Sequence, residues 1–265
     1  MWDIYNDLID SIPDNLTVQD CMLGLHWTLV KSEGGTGTAM TVNGGQENSD
    51  EYRELVGMPL KELAGYVKSW TFPNASLGMA AINSALNTTQ QVSVLTNQTF
   101  QITENSEEDN AFSTFMPYIK DKKVAVIGHF PNIEELGEFC QLSILERMPQ
   151  KGDYPDPACE YLLPEQEVVF ITGSAFINKT MPRLLTLAKD SQIILVGPSV
   201  PISPVLFDYG VDVISSTVIL NEELIWRVVK QGGKMKSFTS SAQMISIKKP
   251  SCSNIMGDKL ECTLM

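Results

Sequence analysis

The sequence predicts an α/β protein: a mostly parallel sheet with helices on both faces, preceded by a smaller α+β segment. From about residue 122 to residue 233, short β-branched runs alternate with helical patterns, which is the arrangement that builds a parallel sheet. Most of these runs are continuously apolar, as expected where both faces of a strand are covered. We therefore predict a Rossmann-like domain with a five-stranded, mostly parallel sheet. Its predicted strands are Val124–Ile127, Leu142–Leu145, Val168–Ile171, Ile193–Val196 and Val211–Ile214.

The first hundred residues show a different pattern, which predicts a small α+β domain. An amphipathic helix runs to about Ile12 and is followed by two strand-like runs, residues 16–23 and 25–31, and then by a glycine-rich loop. Two helices come next, at about residues 60–67 and 74–86. In the second helix, Gly78 shares one side with other small residues, so another backbone can approach it closely.

The domain boundaries are predicted from composition. The polar, acidic stretch Thr96–Asn110 is typical of a junction, so we place one domain at residues 1–105 and the other at 106–250. Residues 251–265 contain no clear periodicity and are predicted to form a loose C-terminal tail. The last helix of the second domain has the clearest start, because Asn221 can cap it and two glutamates follow.

Composition and charge exclude several classes of protein. The chain of 265 residues is 43% hydrophobic and carries a formal net charge of −13, which would repel nucleic acid and anionic membranes. No apolar run is long enough to cross a bilayer. Its five cysteines form no C-x-x-C pair, so neither a disulfide scaffold nor a closed zinc site is indicated. A cytoplasmic location fits this cysteine usage.

The candidate ligand site lies where the predicted strands end, because open parallel sheets bind ligands outside the carboxyl ends of their strands. A nicotinamide dinucleotide is excluded there, since Phe130 and Ile133 stand where the G-x-G-x-x-G motif needs glycines. At the other strand ends, small residues would still let a ligand of another kind come close to the backbone. The candidate cofactor-binding residues at these ends are Gly128, Gly173, Ser174 and Gly197.

Two side chains at the strand ends are candidates for chemistry. His129 stands on the first strand-to-helix loop, where an imidazole can bind a metal or move a proton; the alternative is a histidine hydrogen-bonded to a loop carbonyl. Glu146 ends the second strand, near the position where an acidic residue holds a ribose hydroxyl. A nucleoside ligand therefore stays open, against the alternative of a solvated carboxylate paired with Arg147.

The loop after the second strand adds further donors. Asp153 and Cys159, with His129 and Glu146, would supply oxygen, sulfur and nitrogen ligands, a set that suits a divalent transition metal such as zinc, copper or nickel. The alternative is a proline-stiffened loop whose Asp156 caps a helix. In the first domain, Lys68 lies near a large aromatic residue and either anchors an acidic group of the ligand or lines a domain contact.

These residues resemble a family described as putative heavy-metal chelation proteins, and the matching stretches occur in order across residues 1–249. The resemblance implies a domain similar to the enolase N-terminal fold joined to a Rossmann-like domain, with a ligand site in the cleft between them. It also implies that Lys68 and Asn83 of the first domain face His129, Glu146 and Asp153 of the second. The stretches are Val67–Trp70, Ala75–Asn83, Gly128–Pro131, Leu142–Glu146, Gly152–Pro155 and Pro201–Phe207.

Three functions are compatible with these observations. The first is binding of a small polar, metal-chelating molecule in the cleft, with a role in heavy-metal chelation and with His129, Asp153 and Lys68 as catalytic residues if a reaction occurs. The second is an enzyme that holds a nucleoside cofactor such as S-adenosylmethionine through Glu146. The third is a non-catalytic domain pair whose cleft is an assembly surface. The predicted partner is a small molecule or a metal chelate, and a homodimer is left open.

Overall fold

The structure is a computed structural model that describes residues 2–46, 53–96, 112, 115–238 and 240–250, and the backbone of 262–264. Apart from Thr96, the predicted junction lies outside these residues, so the domain boundary between residues 105 and 106 stays a prediction. Among the described helices, none combines the length and the apolar character needed to cross a membrane.

The N-terminal part of the chain is a three-stranded antiparallel sheet, ordered β1-β2-β3, with helices packed on it. Helix α1 buries Ile4, Tyr5 and Leu8, whose spacing places them on one face of the helix. The predicted α+β character of this segment is thus confirmed. Its elements are α1 Asp3–Asp10, β1 Val18–Leu23, β2 Trp27–Ser32, β3 Thr36–Met40, α2 Leu60–Ala64, α3 Phe72–Leu86 and α4 Thr89–Thr96.

The glycine-rich segment was predicted to be a loop, and this is wrong for most of it, because residues from Thr36 onward form β3. The physical reason is a close contact with α3. A Cβ atom on Gly37 would lie 2.1 Å from the backbone nitrogen of Ser84, so a strand can approach the helix this closely only without a side chain. Gly37 is therefore a packing residue rather than a sign of a mobile connector.

The C-terminal part is built on one large sheet with the order β11-β10-β9-β8-β7-β4-β5-β6. The α/β class and the mostly parallel sheet are confirmed, and all five predicted strands exist, but the sheet has eight strands instead of five. Its elements are α5 Met116–Ile119, β4 Lys123–Ile127, β5 Gln141–Glu146, β6 Tyr154–Pro155, α6 Cys159–Leu162, β7 Val168–Thr172, α7 Ser174–Ile177, α8 Met181–Leu187, β8 Gln192–Val196, α9 Val205–Asp208, β9 Val213–Ile219, α10 Glu222–Lys230, β10 Ala242–Lys248 and β11 Cys262–Leu264.

The strands missing from the prediction lie mainly at one edge. β10 pairs antiparallel with β9 over its whole length, and the chain segment Cys262–Leu264, predicted as part of a loose tail, pairs with β10 in turn. Pairing of this kind covers an edge that would otherwise present a row of free N–H and C=O groups. It also lengthens β9, so Ser215, Ser216 and Thr217, predicted to follow a strand, lie buried inside it.

Both faces of the large sheet are covered, as its continuous apolar strands predict. Ala125, Val169 and Leu195 belong to a core that also includes α3, α7 and α8. Val124, Phe170 and Ile194 face the opposite cluster, which contains Phe112 and Phe115. Alternate residues of each strand therefore enter different cores, which is why no polar alternation is visible in the sequence.

The strand order has one consequence for ligand binding. β4 lies between β5 and β7, so the chain leaves β4 toward one edge of the sheet and returns after β6 to build the other. This is the strand order of doubly wound dinucleotide-binding sheets, in which a crevice opens at the reversal point. The carboxyl ends of β4, β5 and β7 therefore define where a site can form.

Helix α3 connects the two parts of the chain. Thirteen of its fifteen residues are buried, and Asn83 and Asn87 reach from its end to the loop after β8. The Asn87 amide donates to Val200 O at 2.9 Å, and its Oδ1 accepts from the Ile202 N–H at 2.7 Å. These buried side-chain hydrogen bonds hold the N-terminal layer in one position on the large sheet.

The predicted close approach at Gly78 is confirmed: a Cβ atom there would lie 2.0 Å from the backbone nitrogen of Val67. We expect Gly78→Ala to lower the free energy of unfolding by about 1–3 kcal/mol through overpacking, despite the better helix propensity of alanine, and Gly78→Leu to lower it further. Urea unfolding measures this. Gly65→Ala is the matched control, because no atom lies within 4 Å of its added Cβ. Equal losses in both variants would contradict the packing argument.

Candidate functional site

The strand-end glycines shape the candidate site through their backbone. Gly128 has φ +102° and Gly197 has φ +109°, conformations that side chains rarely adopt. A Cβ atom on Gly173 would lie 2.5 Å from the backbone nitrogen of Val200, so the end of β7 is packed against the loop after β8. Ser174 begins α7, and its hydroxyl lies 3.1 Å from the Thr172 hydroxyl. The cofactor-binding roles predicted for these residues stay predictions.

His129 lies between two carboxylates at the end of β4. Its Nδ1 is 3.0 Å from Asp153 Oδ2, and its Nε2 is 3.1 Å from Glu134 Oε1. The Asp153 side chain is only 1% exposed, whereas that of Glu134 is 62% exposed. One side of the imidazole is therefore held by a buried acid, and the other faces an acid that is free to move in solvent.

Local structure explains why Asp153 reaches His129. The two-residue strand β6 pairs parallel with the end of β5, which returns the preceding loop to the edge of the sheet. Gly152 turns the chain at φ +101°, and the Gln150 N–H donates to Asp153 Oδ2 at 2.8 Å. The carboxylate accepts this bond and faces Nδ1, so an imidazole with its proton on Nδ1 would donate to Asp153. In that tautomer the Nε2 lone pair becomes available to a metal when the exposed Glu134 carboxylate moves away.

The Glu146 carboxylate connects the loop after β4 with the loop after β5. Its Oε2 accepts from the His129 N–H at 3.0 Å, and its Oε1 accepts from the N–H groups of Arg147 and Met148 at 2.7 and 3.3 Å. Both oxygens are thus engaged with backbone. Nothing in the described residues favours the nucleoside alternative, which depended on this carboxylate being free for a ribose.

The predicted metal donors come together only in part. His129 and Asp153 are in contact, but Cys159 is buried in the hydrophobic core, where burial and nearby acidic residues raise its pKa to about 12. A thiol in that environment stays protonated near neutral pH and is a poor ligand. Among the described residues, no group of three or more His, Cys, Asp or Glu side chains is arranged to hold a metal ion by itself.

Two candidates from the N-terminal part have other partners. Lys68 donates to Asn6 Oδ1 on α1 at 2.9 Å. Asn83 is fully buried, and its amide donates to Thr38 O at 2.8 Å and to Pro198 O at 3.2 Å. Asn83 therefore joins the two parts of the chain, while Lys68 anchors α1 to the turn before α3. Their predicted roles toward a ligand stay predictions.

Phe72, at the start of α3, lies near two cations of the C-terminal part of the chain. The guanidinium carbon of Arg147 lies 5.6 Å from the centroid of its ring, and Lys179 Nζ lies 5.8 Å from the same centroid. Lys179 is only 7% exposed, and burial lowers its pKa to about 8. An aromatic ring between the two parts of the chain thus has two cations over it.

Sequence reasoning did not identify Glu134, Phe72 or Lys179 as site residues. It considered Arg147 only as a partner of Glu146. Glu134 had a usable signal in the sequence, because it follows the strand-end histidine by only five residues. It lies in the short 3-10 helix Ile133–Glu138. Lys179 had none, since its burial depends on α3 and α7, which pack together only in the folded protein. The sequence did not indicate Phe72 either, because Phe72 is far in sequence from Arg147 and Lys179, the cations that it contacts.

The lowered pKa of Lys179 predicts a pH-dependent stability. Between its folded pKa of about 8 and its usual value of 10.5, the unfolded state binds more protons, so this residue raises the free energy of unfolding as pH rises. We expect Lys179→Met to be more stable than wild type near pH 7, with the difference closing near pH 10.5. Urea unfolding of both proteins across this pH range tests the prediction. Other groups that titrate at alkaline pH are present in both proteins, so their effects cancel in the difference.

Lys189→Met provides the control, because Lys189 is exposed. Its difference from wild type should be small and constant with pH. A constant difference for Lys179→Met as well would show that the Lys179 ammonium is not destabilised by burial.

Comparison with known proteins agrees with this architecture. The DUF364 family model matches residues 110–248 and the DUF4213 model matches residues 5–86, both described as "Putative heavy-metal chelation". An uncharacterised protein of Methanocaldococcus jannaschii is 29% identical over 81% of this chain and 83% of its own.

Two solved structures share the fold. A protein of unknown function from the DUF364 family of Desulfitobacterium hafniense DCB-2 has a TM-score of 0.80 and 37% identity, covering 94% of this chain and 99% of that one. Another from Pyrococcus horikoshii has a TM-score of 0.71 and 24% identity, covering 93% and 98%. The chain therefore belongs to the DUF364 family, and its DUF364 segment is preceded by a DUF4213 segment.

Proposed function

We propose that the protein binds a small polar metal chelate in the cleft between its two parts, with His129 as the donor to the metal. The observation that carries this proposal is the asymmetric setting of the imidazole. A buried carboxylate fixes Nδ1, and only an exposed, displaceable carboxylate faces Nε2. The family description, heavy-metal chelation, names the same chemistry.

The His129–Asp153 pair has the arrangement of a metal-binding histidine. Such histidines commonly donate their second ring N–H to a carboxylate, which fixes the tautomer and makes the free nitrogen a better donor. In this role Asp153 orients the ligand instead of binding the metal. Imidazole nitrogen suits zinc, copper and nickel, so the cargo is a late first-row divalent ion.

The number of donors favours a chelate over a bare ion. His129 Nε2 and Glu134 supply one nitrogen and one carboxylate, and no larger ligand group exists among the described residues. Two protein donors leave most of the coordination sphere to water or to a chelator. The metal therefore enters as part of a complex, and the protein contributes the last contacts and the shape of the cleft.

Binding is better supported than catalysis. A reaction would use the His129–Asp153 pair as a base, but Lys68, the third predicted catalytic residue, is bound to Asn6 on α1. The catalytic roles of these three residues stay predictions. We also propose a reducing, cytoplasmic setting, with which the free thiols of Cys21, Cys140 and Cys159 are compatible.

Calorimetric titration tests the metal donors. With Ni²⁺ or Zn²⁺ held in a small aminocarboxylate such as nitrilotriacetate, we expect wild type to bind the complex more tightly than the bare ion. His129→Ala should abolish this binding, and Glu134→Gln should weaken it about tenfold. Glu135→Gln is the matched control, since this acid is next in the same turn. Equal binding by wild type and His129→Ala would exclude His129 as the donor.

The orienting role of Asp153 predicts a separate result. Asp153→Asn should weaken binding of the same complex about 10- to 100-fold, because the remaining amide holds the imidazole less firmly and makes Nε2 less basic. Asp156→Asn, three residues further along the chain, should bind as wild type does. Circular dichroism and melting temperature check that each variant is folded. Unchanged affinity in a folded Asp153→Asn variant would leave this carboxylate without a role in binding.

A further inference from the structure

Arg147 and Lys179 are two cations that the structure places at one aromatic ring, that of Phe72. Both lie over the Phe72 ring, at 5.6 and 5.8 Å from its centroid. Neither forms a salt bridge with a carboxylate within the described part of the chain. The only hydrogen bond of the Lys179 ammonium there goes to Ile177 O, at 2.5 Å.

Acids outnumber bases in the chain, 32 to 19, and the formal net charge is −13. Several other cations are paired with them: Lys31 with Glu222, Lys61 with Asp14, and Arg183 with Glu160. Arg147 and Lys179 thus bring two positive charges to one aromatic ring, and neither charge is neutralised by a salt bridge among the described residues. A negatively charged ligand, repelled by the rest of the protein, would be attracted to these two charges.

Burial makes the lysine costly without an anion. The Lys179 side chain belongs to a residue that is 7% exposed, and its backbone adopts φ +70°, which is uncommon outside glycine. One carbonyl uses one of its three N–H donors. A buried ammonium that keeps donors unused gains most from an oxyanion, which supplies both charge and hydrogen-bond acceptors.

We infer that Arg147 and Lys179 form an oxyanion subsite on the Phe72 ring, which binds a carboxylate or phosphate group of the ligand. Arg147 is exposed and presents a planar fork that matches either group, whereas Lys179 provides a point charge at the buried end. Phe72 provides an apolar surface beside both cations. The ligand is thus an acidic molecule, and the inference rests on the proposed cleft-binding function while naming its chemical class.

The Arg147 side of the proposed subsite and the metal donor stand on adjoining loops. The backbone N–H groups of His129 and Arg147 donate to the two oxygens of the same Glu146 carboxylate, so their loops are joined directly. A chelator bound through an acid group at Arg147 and Lys179 would therefore hold its metal near His129 Nε2. This places the anion contact and the metal contact at neighbouring points of one cleft.

Binding of simple oxyanions to the full-length protein, without metal, tests the inference. Buffers are cleared of metal, and inorganic phosphate and citrate are titrated near pH 7 by calorimetry, with glycerol as a neutral probe. Wild type should bind at least one of the two anions saturably and should not respond to glycerol. Phosphate alone would identify a phosphate-bearing ligand, and citrate alone a carboxylate-bearing one.

The variants are Arg147→Met and Lys179→Met, each expected to weaken anion binding at least tenfold. Lys230→Met is the matched control, because Lys230 lies 5.6 Å from the Trp226 ring on α10 and repeats the cation and ring pairing elsewhere. It should bind as wild type does. Arg147 is exposed, so its variant reports on anion binding separately from the change in stability expected for Lys179→Met.

Failure of the inference can be told apart from failure of the proposed function. Equal anion affinity in wild type and Arg147→Met, or an equal loss in Lys230→Met, would overturn the subsite whatever the metal titrations show. Anion binding that is lost in Arg147→Met but unchanged in His129→Ala would support the subsite even if no metal complex binds. No saturable binding of either anion to wild type would overturn it as well.

Discussion

Burial of α3 between two layers is the constraint on which the structure depends. On one side Gly37 allows β3 to touch the helix backbone, and on the other Gly78 lies against the turn that contains Val67. Contacts this close leave no room for long side chains, so the helix is rich in small residues and its polar groups must find partners inside. Asn83 and Asn87 do so by bonding to the loop after β8. The helix therefore determines both the N-terminal layer and its position on the large sheet.

That position decides what surrounds the candidate site. Because α3 begins at Phe72, fixing the helix also fixes an aromatic ring near Arg147, which follows β5, and near Lys179, which follows α7. The sheet alone would offer only strand-end loops. With the helix in place, these loops face a wall from another part of the chain, as a ligand cleft requires. Glu146 then joins the His129 loop to the Arg147 loop from below.

The charges of the site follow a division of roles. Asp153 and Glu146 are engaged internally, the first orienting His129 and the second holding backbone N–H groups. Glu134 is exposed and remains free to move, and the two cations over Phe72 have no carboxylate partner among the described residues. Internal acids therefore build the site, while the groups left with spare bonding capacity are an imidazole nitrogen, a mobile carboxylate and two cations. These are the groups on which the proposal of an acidic metal chelate as ligand depends.

The sequence by itself determined what depends on local pattern: five of the eight strands, the coverage of both sheet faces, the close approach at Gly78, and His129 at a strand end. Hydrophobic periodicity, helix capping and glycine positions involve only a few neighbouring residues, so the sequence alone predicts their effects. Only the tertiary structure decided that β10 extends the sheet, that Cys159 is a buried thiol, and that Asp153 holds His129. It also decided that Lys179 is buried and that its ammonium lies near the Phe72 ring. These outcomes depend on contacts between distant segments, and the burial and electrostatics of each group are set by that packing and not by its neighbours in sequence.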